Sequence, residues 1–212
     1  MSNGVGYRLT KLTYEQTDIG QKKYWNSILS SPRGNSAIDN QGHLAGPFDL
    51  FLRSPKTGTV VTSVGEHLRF GTNLSQYVLE LAIVIVAAHW GSKFEWAWHA
   101  PLALKAGVEP HILQSLKSRK MPDFGSDATG ATIFEVVTAM LKTGTCDDDT
   151  YKRAVTLLGD SNLVDLTALT GYYTQLAFAM GIFRLELSHS GGENELMHLN
   201  PSPATLKHES QE

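Results

Sequence analysis

Between Leu79 and Gly107 the chain reads LELAIVIVAAHWGSKFEWAWHAPLALKAG. Three of its side chains are of types that move protons. Glu80 leads the apolar run Leu81 to Ala88, and beyond Gly91, Glu95 and His99 stand four residues apart. On a helix that spacing puts both on one face. A carboxylate beside an imidazole fixes its tautomer and stabilises the imidazolium, which makes the histidine a better base. Burial acts the other way and favours neutral forms. Between them, the two effects can bring both groups to titrate near neutrality, as reversible proton transfer requires. Glu80 lies too far past Asn73 or Ser75 to serve as a helix cap, and a buried carboxylate needs a partner.

The same residues carry a purely structural reading. Ser92-Lys-Phe-Glu95 has the S-x-x-E form of a capping box, in which Glu95 satisfies the first amides of its own helix. If the helix face is instead functional, Leu102, Ala103 and Ala106 continue it as an apolar wall. Among the other histidines, His89 at a helix end and His43 beside Gly46-Pro-Phe are candidates to reach a substrate. His67 and His111 read as surface residues. Arg69, Tyr172 and Tyr173 are polar groups that a substrate could meet. The eight histidines include no HxxxH or HxH pair. Glu95 and His99 supply only two ligands of the three or four a zinc site needs. No metal and no cofactor is expected.

The elements that must hold these residues are all helical. Residues 1–12 read as an extended arm. Apolar residues at helical spacing give an N-terminal helix over 13–30, with the break Ser30-Ser-Pro-Arg-Gly-Asn-Ser after it. A short helix opens at Pro47 and ends at Pro55. Residues 57–70 form the next, with Val60, Val61, Val64 and Leu68 inward and Glu66 and Arg69 outward. The helix ending near Trp90 is apolar almost all round and therefore central. Helices over 92–106, 109–116, 127–142 and 147–158 follow. A turn at Gly159-Asp-Ser-Asn leads to a last helix over 163–183. Residues 189–212 read as a polar tail. No segment alternates with period two, so the fold class is a single-domain all-α bundle of about eight helices, spanning residues 1–212.

Composition narrows the function classes. The 212 residues carry 42% apolar and 18% charged side chains and a net charge of −3. That balance gives no electrostatic case for nucleic acid or an anionic membrane. The dense basic patch Lys117-Ser-Arg-Lys120 suits a helix C-terminus. Cys146 is the only cysteine, which rules out an internal disulfide or a CxxC pair. The longest apolar run is far too short to span a bilayer. The expected setting is cytoplasmic, with a small-molecule substrate.

FEWAWHAPLALKAGVEPHI resembles the E-W-x-x-H…A-x-x-A-G segment of the carboxymuconolactone decarboxylase family, within the alkylhydroperoxidase D-like superfamily. GPFDLFLRSP, ELAIVIVAAHW and TYKRAVTLLGDSNLVDLTALTGYY add to the resemblance, which covers about 43–187. It implies an all-helical fold that assembles into homo-oligomers (dimers, trimers or hexamers), with the site between helices. In the redox branch a glutamate, a C-x-x-C pair and a histidine fall on Glu80, Ser92, Glu95 and His99. Both sulfurs are missing here, so thiol peroxidase chemistry is not expected.

The cysteine-free branch implies cofactor-independent proton transfer: a decarboxylase, lyase or isomerase acting on a small lactone, enone or carboxylic acid. His99 would be the acid or base, Glu95 would orient it or share its proton, and Glu80 would complete the relay. Ser92, His89, His43 and Tyr172 would contact the substrate. The alternative is a non-catalytic oligomeric protein that binds small molecules in the same pocket.

Overall fold

The computed structural model describes residues 6–185. Eight α-helices follow in order: α1 (Ile19–Leu29), α2 (Pro47–Phe51), α3 (Pro55–Phe70), α4 (Gln76–Trp90), α5 (Lys93–Lys105), α6 (Pro110–Lys117), α7 (Ala128–Thr143) and α8 (Asp148–Phe183). Among the described residues there is no strand, only an isolated antiparallel bridge between Ile38 and Leu44. No helix among them is long and apolar enough to cross a membrane. The all-α class and the helix number agree with the sequence reading. The tail at 189–212 lies outside the described residues, as do the first five residues of the arm and the end of the 43–187 segment.

The bundle is built around α4. Every residue from Val78 to Ala88 is buried, and α5, α7 and α8 pack on it. Ser75 caps its start, with Oγ accepting from the Val78 amide at 3.3 Å. At its end Gly91 takes the left-handed conformation (φ 66°) and returns its N–H to the Ala87 carbonyl. A β-carbon there would be strained. That turn lays α5 back on α4, bringing the face of Glu95 and His99 against the start of α4.

Several expected boundaries move. The helix expected over 13–30 is two pieces, a 3₁₀ turn at Tyr14–Gln16 and then α1. Asp18 starts α1 as its own cap: its Oδ1 accepts from the Gln21 amide, while the Gln21 side chain accepts from the Asp18 amide. Pro55 opens α3 instead of ending α2, since its missing N–H costs nothing at a first helical position. The turn expected at 159–162 shrinks to a kink at Gly159 (φ 74°, ψ 164°), and Asp160 to Asn162 are themselves helical. The basic patch does sit at the end of α6, with Arg119 left-handed just beyond it.

The inward face of α3 is also corrected. Val60 is 65% exposed and Val64 faces outward with it, while Gly58, Thr62, Gly65 and Leu68 are buried. Bulky rings from neighbouring elements claim that space. Phe51 and Tyr24 lie against Gly58, and the Tyr172 ring of α8 lies against Gly65. The inner face thus runs 58, 62, 65, 69, which carries Arg69 to the protein interior.

Gly65 therefore sets how closely α8, and Tyr172 on it, approaches α3. A β-carbon at Gly65 would overlap the Tyr172 hydroxyl. Gly65→Ala should destabilise the fold by about 1–3 kcal/mol through overpacking, measured as a lower urea midpoint with an unchanged slope.

Candidate functional site

Glu80 is 1% exposed, in the first turns of the most apolar helix. It is fully engaged. Its Oε2 lies 2.7 Å from His99 Nδ1, and its Oε1 accepts from Arg69 Nη2 at 3.0 Å. A carboxylate oxygen only accepts, so His99 carries its proton on Nδ1 toward Glu80. Three helices supply this contact: α3 gives Arg69, α4 gives Glu80 and α5 gives His99.

The other ring nitrogen, Nε2, has three neighbours. Glu95 Oε2 lies at 3.4 Å, Arg69 Nη1 at 3.3 Å and the Tyr173 hydroxyl at 3.4 Å. The Tyr173 ring meets the imidazole edge-on, with centroids 5.2 Å apart. His99 and Glu95 are both buried, yet both line a cavity of about 210 Å³. Its wall is mainly aromatic: Phe48 of α2, Phe70 of α3, Phe94 and Trp98 of α5, and Tyr172 and Tyr173 of α8. Phe94 and Trp98 stack nearly parallel, one helical turn apart beside Glu95 and His99.

Burial pushes the His99 imidazole toward its neutral form. The hydrogen bonds and charges of Glu80 and Glu95 outweigh that push, so the pKa stands above the ordinary histidine value. Burial raises the Tyr173 hydroxyl well above the usual tyrosine range, which keeps it a protonated donor. The same cause lifts Tyr172 to about 12.

The structure brings Glu80, Glu95 and His99 together, with Tyr172 on the wall of the same cavity. Glu80, rather than Glu95, is the group that orients the imidazole. The capping box is not formed. Ser92 stands at the cap position with no side-chain cap bond, its buried Oγ lacks a partner, and the Glu95 carboxylate turns to His99 instead. Ser92 does not line the cavity, and neither do Leu102, Ala103 and Ala106; Phe94 and Trp98 supply the α5 wall.

His43 is held away by the 39–43 turn. Asp39 Oδ1 accepts from the His43 amide at 2.9 Å and lies 3.5 Å from its Nδ1. His89 points the other way. Nine residues past Glu80 is about half a turn round an α-helix, and His89 lines a separate cavity with Arg119, Lys120 and Lys142. Arg69 and Tyr173, which the sequence offers as groups a substrate could meet, do belong to the site, and so does Arg33, which carries no signal in the sequence. For Arg69, the signal available in the sequence was its register with the small residues Gly58, Thr62 and Gly65.

Among the described residues no group of three or more His, Cys, Asp or Glu side chains is placed to hold a metal ion. Within this cluster the Arg69 guanidinium already occupies Glu80 Oε1 and the approach to Nε2. No protein-family model matches the chain, and no curated protein matches it.

The two perturbed histidines give a pH signature. Because the folded-state pKa of His99 is raised, its stabilisation is complete below about 6.5, the unfolded value, and is lost as pH rises through the folded pKa. The pKa of His89 is lowered by burial and by the charges of Arg119 and Lys142. Its penalty is full at low pH and fades as pH approaches about 6.5. Denaturation curves of His99→Gln should therefore lose the decline on the alkaline side. Those of His89→Gln should lose the rise on the acid side.

Proposed function

We propose that the protein is a cofactor-independent proton-transfer enzyme, a decarboxylase, lyase or isomerase of the carboxymuconolactone decarboxylase type acting on a small lactone, enone or carboxylic acid. One observation carries this reading. A buried imidazole is clamped at Nδ1 by Glu80, while its Nε2 faces Glu95 beside an aromatic cavity.

In the proposed cycle His99 Nε2 takes a proton from a carbon next to a carbonyl, or delivers one to an enolate left by loss of CO2. Glu80 stabilises the imidazolium that forms. Glu95, 3.4 Å from Nε2, receives or returns the proton. Arg69 and the protonated Tyr173 hydroxyl sit beside the same nitrogen and can donate to the enolate oxygen as charge develops there. Thiol peroxidase chemistry is outside this proposal, because positions 92 and 95 carry serine and glutamate.

We infer, too, that the fold is of the alkylhydroperoxidase D-like type and that the chain forms a small homo-oligomer. Support for assembly comes from apolar side chains left exposed on α3 (Val60, Val64) and α8 (Val164, Phe178, Ile182).

The reading is tested by incubating the protein in D₂O with a panel of small lactones, enones and unsaturated acids, following deuterium incorporation and CO2 release. Replacing His99 by Ala, or Glu95 by Gln, should each lower the rate by about 10² or more. Full activity in both variants would sink it. Tyr173→Phe should lower turnover with little change in the fold.

The alternative is a non-catalytic oligomeric protein that binds small molecules. It is favoured by the complete partnering of His99, each of whose nitrogens already has neighbours in the protein. Under it, a ligand carried through purification stays chemically unchanged and deuterium uptake stays at background.

A further inference from the structure

One cation on the cavity wall has only a long ion pair, to a half-exposed glutamate that does not line the cavity. Arg33 follows α1 and precedes the 3₁₀ turn at Gly34–Ala37, and its side chain is 11% exposed. It lines the cavity that holds Glu95 and His99. Its Nη1 is buried without a hydrogen-bond partner. The nearest carboxylate oxygen, on the half-exposed Glu66, is 3.8 Å away, beyond hydrogen-bond reach. A buried guanidinium nitrogen left unpaired is costly, and a group that meets it recovers that cost.

The other basic groups of the site each have a close carboxylate partner. Arg69 is bound to Glu80, and His99 lies between Glu80 and Glu95. Arg33 is therefore the cation of the wall least closely held by a carboxylate. Its guanidinium packs over Phe48 and Phe70, at 5.5 and 5.8 Å from their centroids, and the Arg69 guanidinium packs over the same Phe70 ring at 5.6 Å. The charged group thus lies between two aromatic rings.

We propose that Arg33 anchors a single carboxylate on a flat, aromatic or conjugated substrate, whose ring lies among the cavity aromatics and whose reacting carbon faces His99 Nε2. This rests on the proton-transfer reading above for its last clause only, and it narrows the lactones, enones and acids considered there to monoacids. The cavity size agrees. At about 210 Å³ it exceeds the roughly 150 Å³ that accommodates a benzene ring in an apolar protein cavity, which leaves room for one ring with a carboxyl group. Arginine presents a planar fork matched to carboxylate, so recognition should depend on geometry as well as charge. Arg33 lies outside the 43–187 segment, so the resemblance assigns it no role.

The test is calorimetric titration of the full chain with benzoate and with benzamide, its neutral isostere. Benzoate should bind about tenfold or more tightly than benzamide, the scale of a charge-assisted hydrogen bond. Arg33→Gln should bring the two probes to the same affinity, leaving benzamide within about twofold of wild type, whereas His99→Gln should keep the preference for benzoate even where deuterium exchange is lost. Glu66→Gln, a change at a half-exposed position that tests the idea should the Arg33 variant fail to fold, should tighten benzoate by about twofold or more by removing a weak competitor. Equal binding of the two probes by wild type, or a preference that survives in Arg33→Gln or vanishes in His99→Gln, overturns the assignment. So does an unchanged benzoate affinity in Glu66→Gln. Since no arm reads turnover, the anchor can fail while the proton-transfer reading stands, and the reverse.

Discussion

A carboxylate inside the most apolar helix must be paired, and much of this structure follows from how it is paired. Removing one partner of a buried ion pair costs about 3–5 kcal/mol, because the remaining charge is left without solvent or counter-ion. Glu80 meets that constraint with two partners from two other helices, Arg69 at the end of α3 and His99 in the middle of α5. One side chain thereby fixes the positions of three helix segments relative to each other. The hydrophobic packing of α4 is strong but adaptable, since Leu, Ile and Val can slide by a fraction of a turn. A two-oxygen, two-partner contact cannot slide without orphaning a charge. The apolar core supplies the stability of the bundle, and Glu80 supplies its registration at the end where the cavity lies.

The chain's departures from simple amphipathic patterning occur where this registration is needed. On α3 the residues turned inward are Gly58, Thr62, Gly65 and Arg69, while two valines stay in solvent. Small residues let Phe51, Tyr24 and Tyr172 come close to the α3 backbone. That approach brings α8 near enough for the Tyr173 hydroxyl to reach His99. At the start of α5, Glu95 gives up the capping role its spacing allows, and the Ser92 hydroxyl is left buried without a partner. An unsatisfied buried hydroxyl and an unused capping box both cost stability. The structure accepts both and keeps a second carboxylate at the imidazole.

Much of the architecture could be read from the sequence, because it is written in local terms. The helical class, the centrality of α4 and the shared face of Glu95 and His99 follow from spacing and residue type, and the family resemblance adds Glu80 to that pair. The illegible parts depend on contacts between distant segments. Arg69 reads as a solvent-facing residue until the rings of other elements are placed against Gly58 and Gly65. Arg33 sits in a Ser-Pro-Gly break that carries no periodic signal, and only the folded chain brings it to the cavity. Ser92 is a candidate through the family pattern and His43 through its place beside Gly46-Pro-Phe, but neither lines the cavity: one is buried and the other is held by Asp39. His89 is a different case. Helical geometry alone puts it about half a turn from Glu80, so the sequence itself already separates the two.

The neighbours of His99 Nε2 cannot all be satisfied by one protonation state. Arg69 and Tyr173 are donors and need a lone pair on that nitrogen, which the neutral imidazole provides. Glu95 is an acceptor and needs a proton there, which the imidazolium provides. Nδ1 does not change between the two states, because Glu80 holds its proton in both. Each form of the ring therefore finds partners already in place, and neither requires the protein to rearrange before the proton moves. A histidine kept only for structure would be expected to have neighbours that agree on one form, as burial with a single carboxylate would give. Here the surroundings are split between the two forms at the nitrogen that faces the cavity. A ring with partners in place for both forms is suited to the proton transfer proposed for it, because no dipole has to reorient as the charge moves.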